Sequence, residues 1–226
     1  MFILDRLGLA FNIMREMHQL VQQLHTSISS LGFIETECCN IHSNSWRVVR
    51  AVIVSALAPS QVIRVQRPTT KYQETVEGAV EKDGKAKDMK FFIRSGDASN
   101  PRNEERVFIH PSSNMFSVAT FSCPWLVYHR VVRTSKAYIH DATESSAYAL
   151  LLFAGKMDVQ ASKGLVILDD RIELSANARI GSLMGGLRKK MECLLETKVS
   201  DPSLDISDTS EMKLVADLLR HDGLGK

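Results

Sequence analysis

The residues best suited to chemistry in this sequence are cations and histidines in two segments that contain no acid. Residues 106–140 lack aspartate and glutamate, and their cationic and imidazole side chains are Arg106, His110, His129, Arg130, Arg133, Lys136 and His140. Residues 40–73 also lack acids and carry five basic residues, so the two segments contribute +9 to a chain whose net charge is only +2. If these cations share one face of the folded chain, they suit a polyanion such as nucleic acid. If they are scattered over several faces, their charge does not indicate what the chain binds.

The sequence lacks the motifs of a self-contained enzyme. It has no GxxxxGK[ST] phosphate-binding loop, because the closing GLGK lacks both the spacing and the following Ser or Thr, and it has no GxSxG nucleophile motif. Cys38, Cys39 and His42 do not predict a zinc site, since adjacent cysteines rarely share one and no second ligand pair follows. Asp169 and Asp170 fit a hairpin turn better than a catalytic pair. We therefore expect no catalytic and no metal-binding residues.

Composition indicates a folded intracellular protein. The chain has 226 residues, 44% hydrophobic and 24% charged, which suits one compact body with appended elements. Four scattered cysteines favour a reducing compartment, cytoplasmic or nuclear. The apolar runs are too short to span a bilayer, and Met1–Leu9 lacks the cleavage site of a signal peptide, so we expect no membrane partner.

Periodicity places these residues on a segment of strands between helices. Apolar residues at three- and four-residue steps predict a helix over Leu9–Leu31 with a core-type stripe, closed by Gly32. Further helices are predicted over Asn44–Leu57, from about Ser175 to Asp201, and over Glu211–Arg220. The apolar face of the second helix would consist of Trp46, Val49, Ile53 and Leu57.

Between the helices the apolar residues recur with a period of two, which is typical of strands. Many short strands predict a small barrel or sandwich and, with the flanking helices, an α+β fold. The predicted strands are Gln61–Gln66, Lys90–Arg94, Arg106–His110, Trp125–Val132, Lys136–Asp141, Ala149–Phe153, Leu165–Leu168 and Ile172–Leu174. Glu81–Asp88 and Ser95–Glu105 are predicted as polar loops. We expect the core to include Phe91, Phe92, Phe108 and Leu150–Phe153.

Four sequence motifs in order resemble the C-terminal auxiliary region of DExH/DEAH-box RNA helicases. They are Val107–Ser113 (VFIHPSS), Trp125–His129 (WLVYH), Arg133–Ser135 (RTS) and Tyr148–Gly155 (YALLLFAG). The resemblance covers nearly the whole chain and looks closest to the branch that holds the G-quadruplex-resolving and RNA helicase A-like enzymes. The helix ending at Pro59 departs from the family pattern, since Ser-Ala-Leu-Ala stands where the family has Ala-Gly-Leu-Tyr.

This resemblance implies an OB-fold β-barrel flanked by N-terminal helices and a C-terminal helix. Residues 1–60 would be a remnant of the helicase-associated helical domain, residues 61–174 the OB-fold, and residues 175–226 a C-terminal helical extension. The family's two motor domains, which bind ATP and Mg²⁺, have no counterpart here. The chain would then be a helicase fragment or the product of a truncated gene model, inactive alone and without its own cofactor. Motor domains would be its partners if it is part of a longer chain.

An OB-fold implies a groove in which cations track phosphates and aromatic rings stack on bases of single-stranded or structured RNA. The candidate RNA-binding residues are His110, Ser112, Ser113, Asn114, Tyr128, His129, Arg133, Thr134 and Lys136, with Tyr138 beside them. Tyr128 can instead fill the barrel core, and His110 before Pro111 can simply close a strand. Arg133, Thr134 and Lys136 are the stronger candidates, because a turn between strands projects side chains outward. The cluster Arg188–Lys190 fits a solvated helix face.

Three functions remain open at the level of sequence. The first is an RNA-binding auxiliary region that holds single-stranded RNA leaving a helicase motor. The second is a stand-alone protein-interaction module derived from such a helicase, and the third, a small hydrolase, has no catalytic residues to support it. RNA affinity with a steep salt dependence would separate the first from the second.

Overall fold

The computed structural model of the chain describes residues 11–33, 40–67, 72–75, 78–81, 86–94 and 104–221. The helices in these ranges are α1 (Phe11–Ser30), α2 (Trp46–Leu57), α3 (Ala147–Phe153), α4 (Ala178–Ser200) and α5 (Ser210–His221). None of these described helices is both long and apolar enough to cross a lipid bilayer.

The strands in the same ranges form three sheets. They are β1 (Val62–Gln66), β2 (Tyr72–Thr75), β3 (Gly78–Glu81), β4 (Lys90–Arg94), β5 (Glu104–Ile109), β6 (Trp125–Tyr128), β7 (Val131–Arg133), β8 (Ala137–Ile139), β9 (Ala142–Glu144), β10 (Met157–Gln160), β11 (Leu165–Leu168) and β12 (Ile172–Ser175). The main sheet has the order β7-β8-β5-β4-β1-β6-β9, and β10-β11-β12 and β2-β3 form smaller sheets. All neighbours in the main sheet are antiparallel except β5 and β8, which are parallel. The predicted α+β class is confirmed.

Alternation along the strands gives the main sheet one buried face. In β4, Phe91 and Ile93 are buried, while Lys90 and Arg94 point to solvent. In β5, Val107 and Ile109 are buried in the same way. These side chains join a core that also contains Ile63, Leu126 and Ile139, each fully buried. Because the period of a strand is two, the side chains between these core residues must emerge on the opposite face.

Two compact units can be distinguished, and each is described by itself. The first includes α1 and the chain from Lys190 to Lys213, and the second includes His42–Lys189 and the chain from Leu214 onward. The second unit contains the main sheet. In the first, the Lys198 ammonium lies 5.7 Å from the centre of the Phe33 ring and donates hydrogen bonds to the carbonyl oxygens of Pro202 and Leu204.

The predicted end of α1 is confirmed, but its predicted burial is wrong. Gly32 has a φ of +89°, and its amide and that of Phe33 bond back to Ser29 and Ile28, as expected for a glycine that closes a helix. However, no residue of α1 is buried, and Leu24 on its apolar stripe is 53% exposed. Periodicity reports that a helix has an apolar face, and it does not report what covers that face.

The second helix is confirmed, but a different face of it is buried. Ala51 and Val54 are the buried residues of α2, whereas Trp46 is 77% exposed. Trp46 opens the helix, where the chain enters it after Ser45. The apolar face predicted from the sequence, which includes Trp46 and Ile53, is therefore not the face that is buried.

The predicted strand over Ala149–Phe153 is wrong, because this segment lies in α3. The Ser146 hydroxyl accepts a hydrogen bond from the Ala149 amide and so caps the helix. Alanine and leucine favour helix over strand, and four consecutive residues of α3 are buried. A short apolar run buried on all sides has no period that would distinguish the two states.

The remaining predictions on the middle of the chain are mostly confirmed. The hairpin of β11 and β12 turns at Asp169 and Asp170, both with positive φ. The predicted strand Trp125–Val132 is interrupted at His129 and becomes β6 and β7. Of the predicted loop Ser95–Glu105, Glu104 and Glu105 belong to β5 and the rest lies outside the described residues, as do Cys38, Cys39, Lys71 and residues 82–85 of the other loop.

Candidate nucleic-acid interface

A row of aromatic rings lies on the face of β5 and β8 that points away from the core. Register places Phe108 opposite Tyr138, and both are half-buried. The ring centres of Phe108 and Tyr138 are 6.1 Å apart, those of Tyr138 and His110 are 5.7 Å apart, and His110 and His140 are stacked at 4.0 Å. We call Phe108, Tyr138, His110 and His140 the ring row. Such a row of partly exposed rings can stack on nucleic-acid bases.

Cations lie against the first ring of the row. The Arg106 guanidinium and the Lys136 ammonium lie 5.1 and 4.7 Å from the centre of Phe108, and both side chains are exposed. On the adjacent strand, Phe92 is paired with Arg106, and the Arg64 guanidinium lies 4.7 Å from its ring centre. Cations and rings therefore alternate from β1 to β8 on one face, the arrangement that single-stranded nucleic acid prefers.

The ring row ends at a cleft lined by hydroxyl, amide and charged groups. The cleft has a volume of about 520 Å³, and its lining includes Arg50, Ser112, Ser113, Asn114 and His140. The Ser112 amide donates to Nδ1 of His110 at 3.1 Å, and the Ser112 hydroxyl lies 2.7 Å from the same nitrogen. Because this Nδ1 accepts from an amide, the geometry assigns the ring proton of His110 to Nε2.

The lining of the cleft also contains an ion pair. Arg50 lies 3.7 Å from Glu144, whose other carboxylate oxygen accepts a hydrogen bond from the Ser122 hydroxyl. The hydroxyl and amide groups of Ser112, Ser113 and Asn114 therefore remain the groups best placed to bond phosphate or ribose oxygens.

The structure brings together five of the nine predicted RNA-binding residues. His110, Ser112, Ser113, Asn114 and Lys136 lie on the ring row or at the cleft that ends it. These residues come from two segments of the chain, 110–114 and the start of β8, which the parallel pairing of β5 with β8 brings side by side.

The other four predicted residues lie elsewhere in the described structure. Arg133 and Thr134 are exposed at the turn after β7, and Arg133 is held 2.8 Å from Glu105, which raises the pKa of its guanidinium. Tyr128 is half-buried against the core of the main sheet, and burial raises the pKa of its hydroxyl. His129 is exposed, and its amide donates to the Asp141 carbonyl.

Sequence reasoning missed three members of the face and misplaced two phenylalanines. Arg106 and His140 were noted only for their charge, and Arg64 was not singled out. Phe92 and Phe108 were predicted to be core, and they are instead half-exposed on the outer face. The alternation in Arg106–His110 (RVFIH) could have predicted the exposed positions. Because Val107 and Ile109 are buried, Arg106, Phe108 and His110 must point outward.

Metal binding finds no support in the described part of the chain. No group of three or more His, Cys, Asp or Glu side chains there is placed to hold an ion.

Comparison with known proteins matches two family models along the chain. A model described as oligonucleotide/oligosaccharide-binding (OB)-fold matches residues 49–157, and one described as the C-terminal domain in RNA helicases matches residues 164–221. The ATP-dependent DNA/RNA helicase DHX36 of Mus musculus is 29% identical over 89% of this chain and 19% of its own length. The DExH-box ATP-dependent RNA helicase DExH1 of Arabidopsis thaliana is 29% identical over 92% of this chain and 19% of its own length. The chain spans 13–19% of the length of the curated relatives it matches.

Proposed function

The chain belongs to the C-terminal region of DEAH- and DExH-box helicases, and we propose that it holds single-stranded RNA as the RNA leaves the helicase motor. The observation that carries the proposal is the ring row with Arg106 and Lys136 beside it. Rings that stack on bases tolerate any sequence, and cations beside them bind the backbone, so this surface suits RNA that must slide through. The OB-fold would correspond to residues 61–174.

The mechanism divides the work between this chain and the motor. ATP and Mg²⁺ would bind in the motor domains of the larger helicases, which are the proposed partners of this chain. Bases stacked on the ring row would hold the strand at a fixed contact, past which each ATP-driven closure of the motor would draw the RNA. The polar cleft at His140 extends the path with groups that bond phosphate or 2′-hydroxyl oxygens.

A second candidate function is a protein-interaction module. The apolar stripe of α1 favours it, because a 20-residue helix without a buried residue leaves its apolar face open to a partner. This function and RNA binding use different surfaces of the chain. A chain that binds no RNA at low salt but retains its fold would favour the module.

Replacing Lys136 with alanine tests the proposal. If its ammonium contacts a phosphate, the variant should bind single-stranded RNA more weakly, and the slope of log affinity against log salt should fall by roughly 0.7. Arg133→Ala should change the slope less, because Glu105 already offsets the charge of Arg133. The measurement is RNA affinity at several salt concentrations, with a thermal melt of each variant.

Thr134→Ala is the matched control in the same turn, since it removes a hydroxyl and no charge. It should leave the slope unchanged and cost about 1 kcal/mol of affinity if the hydroxyl makes one hydrogen bond. Wild-type affinity and slope in a folded Lys136→Ala variant would remove this turn from the RNA path.

We expect the purified chain to hydrolyse no ATP, with or without RNA. Its sequence has no phosphate-binding loop and no acidic motif to hold Mg²⁺ against a γ-phosphate. The measurement is phosphate release from ATP with and without single-stranded RNA. An RNA-stimulated rate that follows the chain through successive purification steps would contradict this expectation.

A further inference from the structure

A cluster of charged side chains lies near Arg171 and Tyr128, and it shares Arg64 with the face that carries the ring row. We call it the arginine cluster, and its members are Arg64, Arg94, Arg133, Arg171, Glu104, Glu105 and Asp169. Electrostatic interactions link Arg171 to Glu104, Arg94, Tyr128 and Arg64, and they link Tyr128 to Arg133 and Glu105. The cluster therefore contains four cations and three carboxylates, so one cation has no matching acid within it.

Each carboxylate of the cluster is already paired with an arginine other than Arg171. Arg64 contacts both carboxylate oxygens of Glu104, with Nε at 2.7 Å. A second pair joins Arg94 to Asp169 at 3.3 Å, and a third joins Arg133 to Glu105 at 2.8 Å.

Arg171 is the unmatched cation. Its Nε, Nη1 and Nη2 atoms are all buried, and none has a hydrogen-bond partner among the residues that the structure describes. Burial lowers the pKa of this guanidinium, although Glu104 opposes the effect, and an arginine remains charged at any working pH. A buried charge without a partner is destabilising, because no ion pair or hydrogen bond offsets its lost hydration. Native proteins seldom keep such a group unless a ligand or water satisfies it.

We propose that the arginine cluster is an oxyanion site in which Arg171 binds a phosphate group. A guanidinium presents parallel N–H donors that match two phosphate oxygens, and the Tyr128 hydroxyl can supply a further donor. Arg94 and Arg133 are 49% and 62% exposed, so they can meet a phosphate first. Each is held by a single ion pair, which an incoming dianion or phosphodiester can displace to reach Arg171. That the phosphate comes from an RNA backbone rests on the proposed function, whereas the site itself does not.

The first experiment measures thermal melting with and without inorganic phosphate, with chloride added to match ionic strength. Phosphate at ten times its dissociation constant should raise the melting temperature of the wild type by about 3–5 °C. Arg179→Met, which removes an exposed arginine from α4, should show the same rise. Arg171→Met should show none, and without phosphate it should melt no lower than the wild type, because it buries no unpaired charge.

Equal phosphate shifts in the wild type and Arg171→Met would overturn the proposal. So would a melting temperature many degrees lower for Arg171→Met in phosphate-free buffer, which would mean that Arg171 has a partner within the chain or an ordered water. If Arg171→Met does not fold, Arg171→Lys decides, because it keeps the charge but loses the paired donors. Its phosphate shift should be smaller than that of the wild type, and an equal shift would refute the site.

The second experiment identifies the source of the phosphate by titrating single-stranded RNA at several salt concentrations. If Arg171 binds the RNA backbone, Arg171→Met should reduce the salt slope by roughly 0.7, while Arg179→Met should not. An unchanged slope combined with the phosphate-dependent melting supports a site for free phosphate. A wild type that binds phosphate but no RNA supports the site and refutes the proposed function, so the two failures are distinguishable.

Discussion

Replacing Phe108 with alanine should weaken single-stranded RNA binding by about 1–3 kcal/mol, the range measured for the loss of one base–aromatic stack. Phe108 is the ring against which Arg106, Lys136 and Tyr138 all lie, so its removal takes the stacking surface away from both cations. The ring is half-exposed, and the fold should therefore survive. The measurement is RNA affinity at one fixed salt concentration, accompanied by thermal melting.

Two further variants make the Phe108 experiment decisive. Phe108→Trp keeps a stacking ring at the same place and should retain most of the affinity. Trp46→Ala removes an aromatic side chain that is 77% exposed on α2, outside the ring row, and should leave RNA binding unchanged. Equal losses in Trp46→Ala and Phe108→Ala would mean that binding does not depend on the row.

The salt dependence should also differ between the two kinds of contact. Phe108→Ala removes no charge, so its affinity should fall by the same factor at every salt concentration. Lys136→Ala removes a charge, so its loss should shrink as salt rises. The salt dependence of the two variants therefore distinguishes a base stack at Phe108 from a phosphate contact at Lys136.

Much of the fold could be predicted because its signals are local. The alternation in KFFIR and RVFIH identified β4 and β5, and the paired aspartates marked the turn between β11 and β12. The period of 3.6 residues identified α1, α4 and α5. Each of these patterns is written within one element, so no knowledge of neighbouring elements is needed.

The candidate site could be predicted only in part, because pairing is not local. HPSS and Lys136 were recognised within their own segments. The stack of His110 on His140 exists only because β5 and β8 run parallel, although 30 residues of sequence separate the two rings. Strand order determines which half-exposed rings become neighbours, and a single sequence does not contain that order in readable form.

Burial of α1 was the prediction that failed most completely, and the failure has a measurable consequence. Leu24 lies on the predicted apolar stripe of α1, and Leu126 is an apolar residue of the predicted strand Trp125–Val132. Leu126 is fully buried on β6, between β1 and β9, whereas Leu24 is 53% exposed. Apolar patterning alone would predict the same degree of burial at the two positions. The structure shows that the two degrees of burial are very different.

Leu126→Ala should therefore cost about 2–5 kcal/mol of unfolding free energy and lower the melting temperature by roughly 5–15 °C, because it leaves a cavity in the sheet core. Leu24→Ala should cost less than about 1 kcal/mol, since it removes atoms that already contact solvent. Urea and thermal unfolding of both variants measure the difference. Similar costs at the two positions would mean that the α1 stripe is covered in solution. If the cost at Leu24 then fell on dilution, a second copy of the chain would be what covers it, because only an association between copies depends on protein concentration.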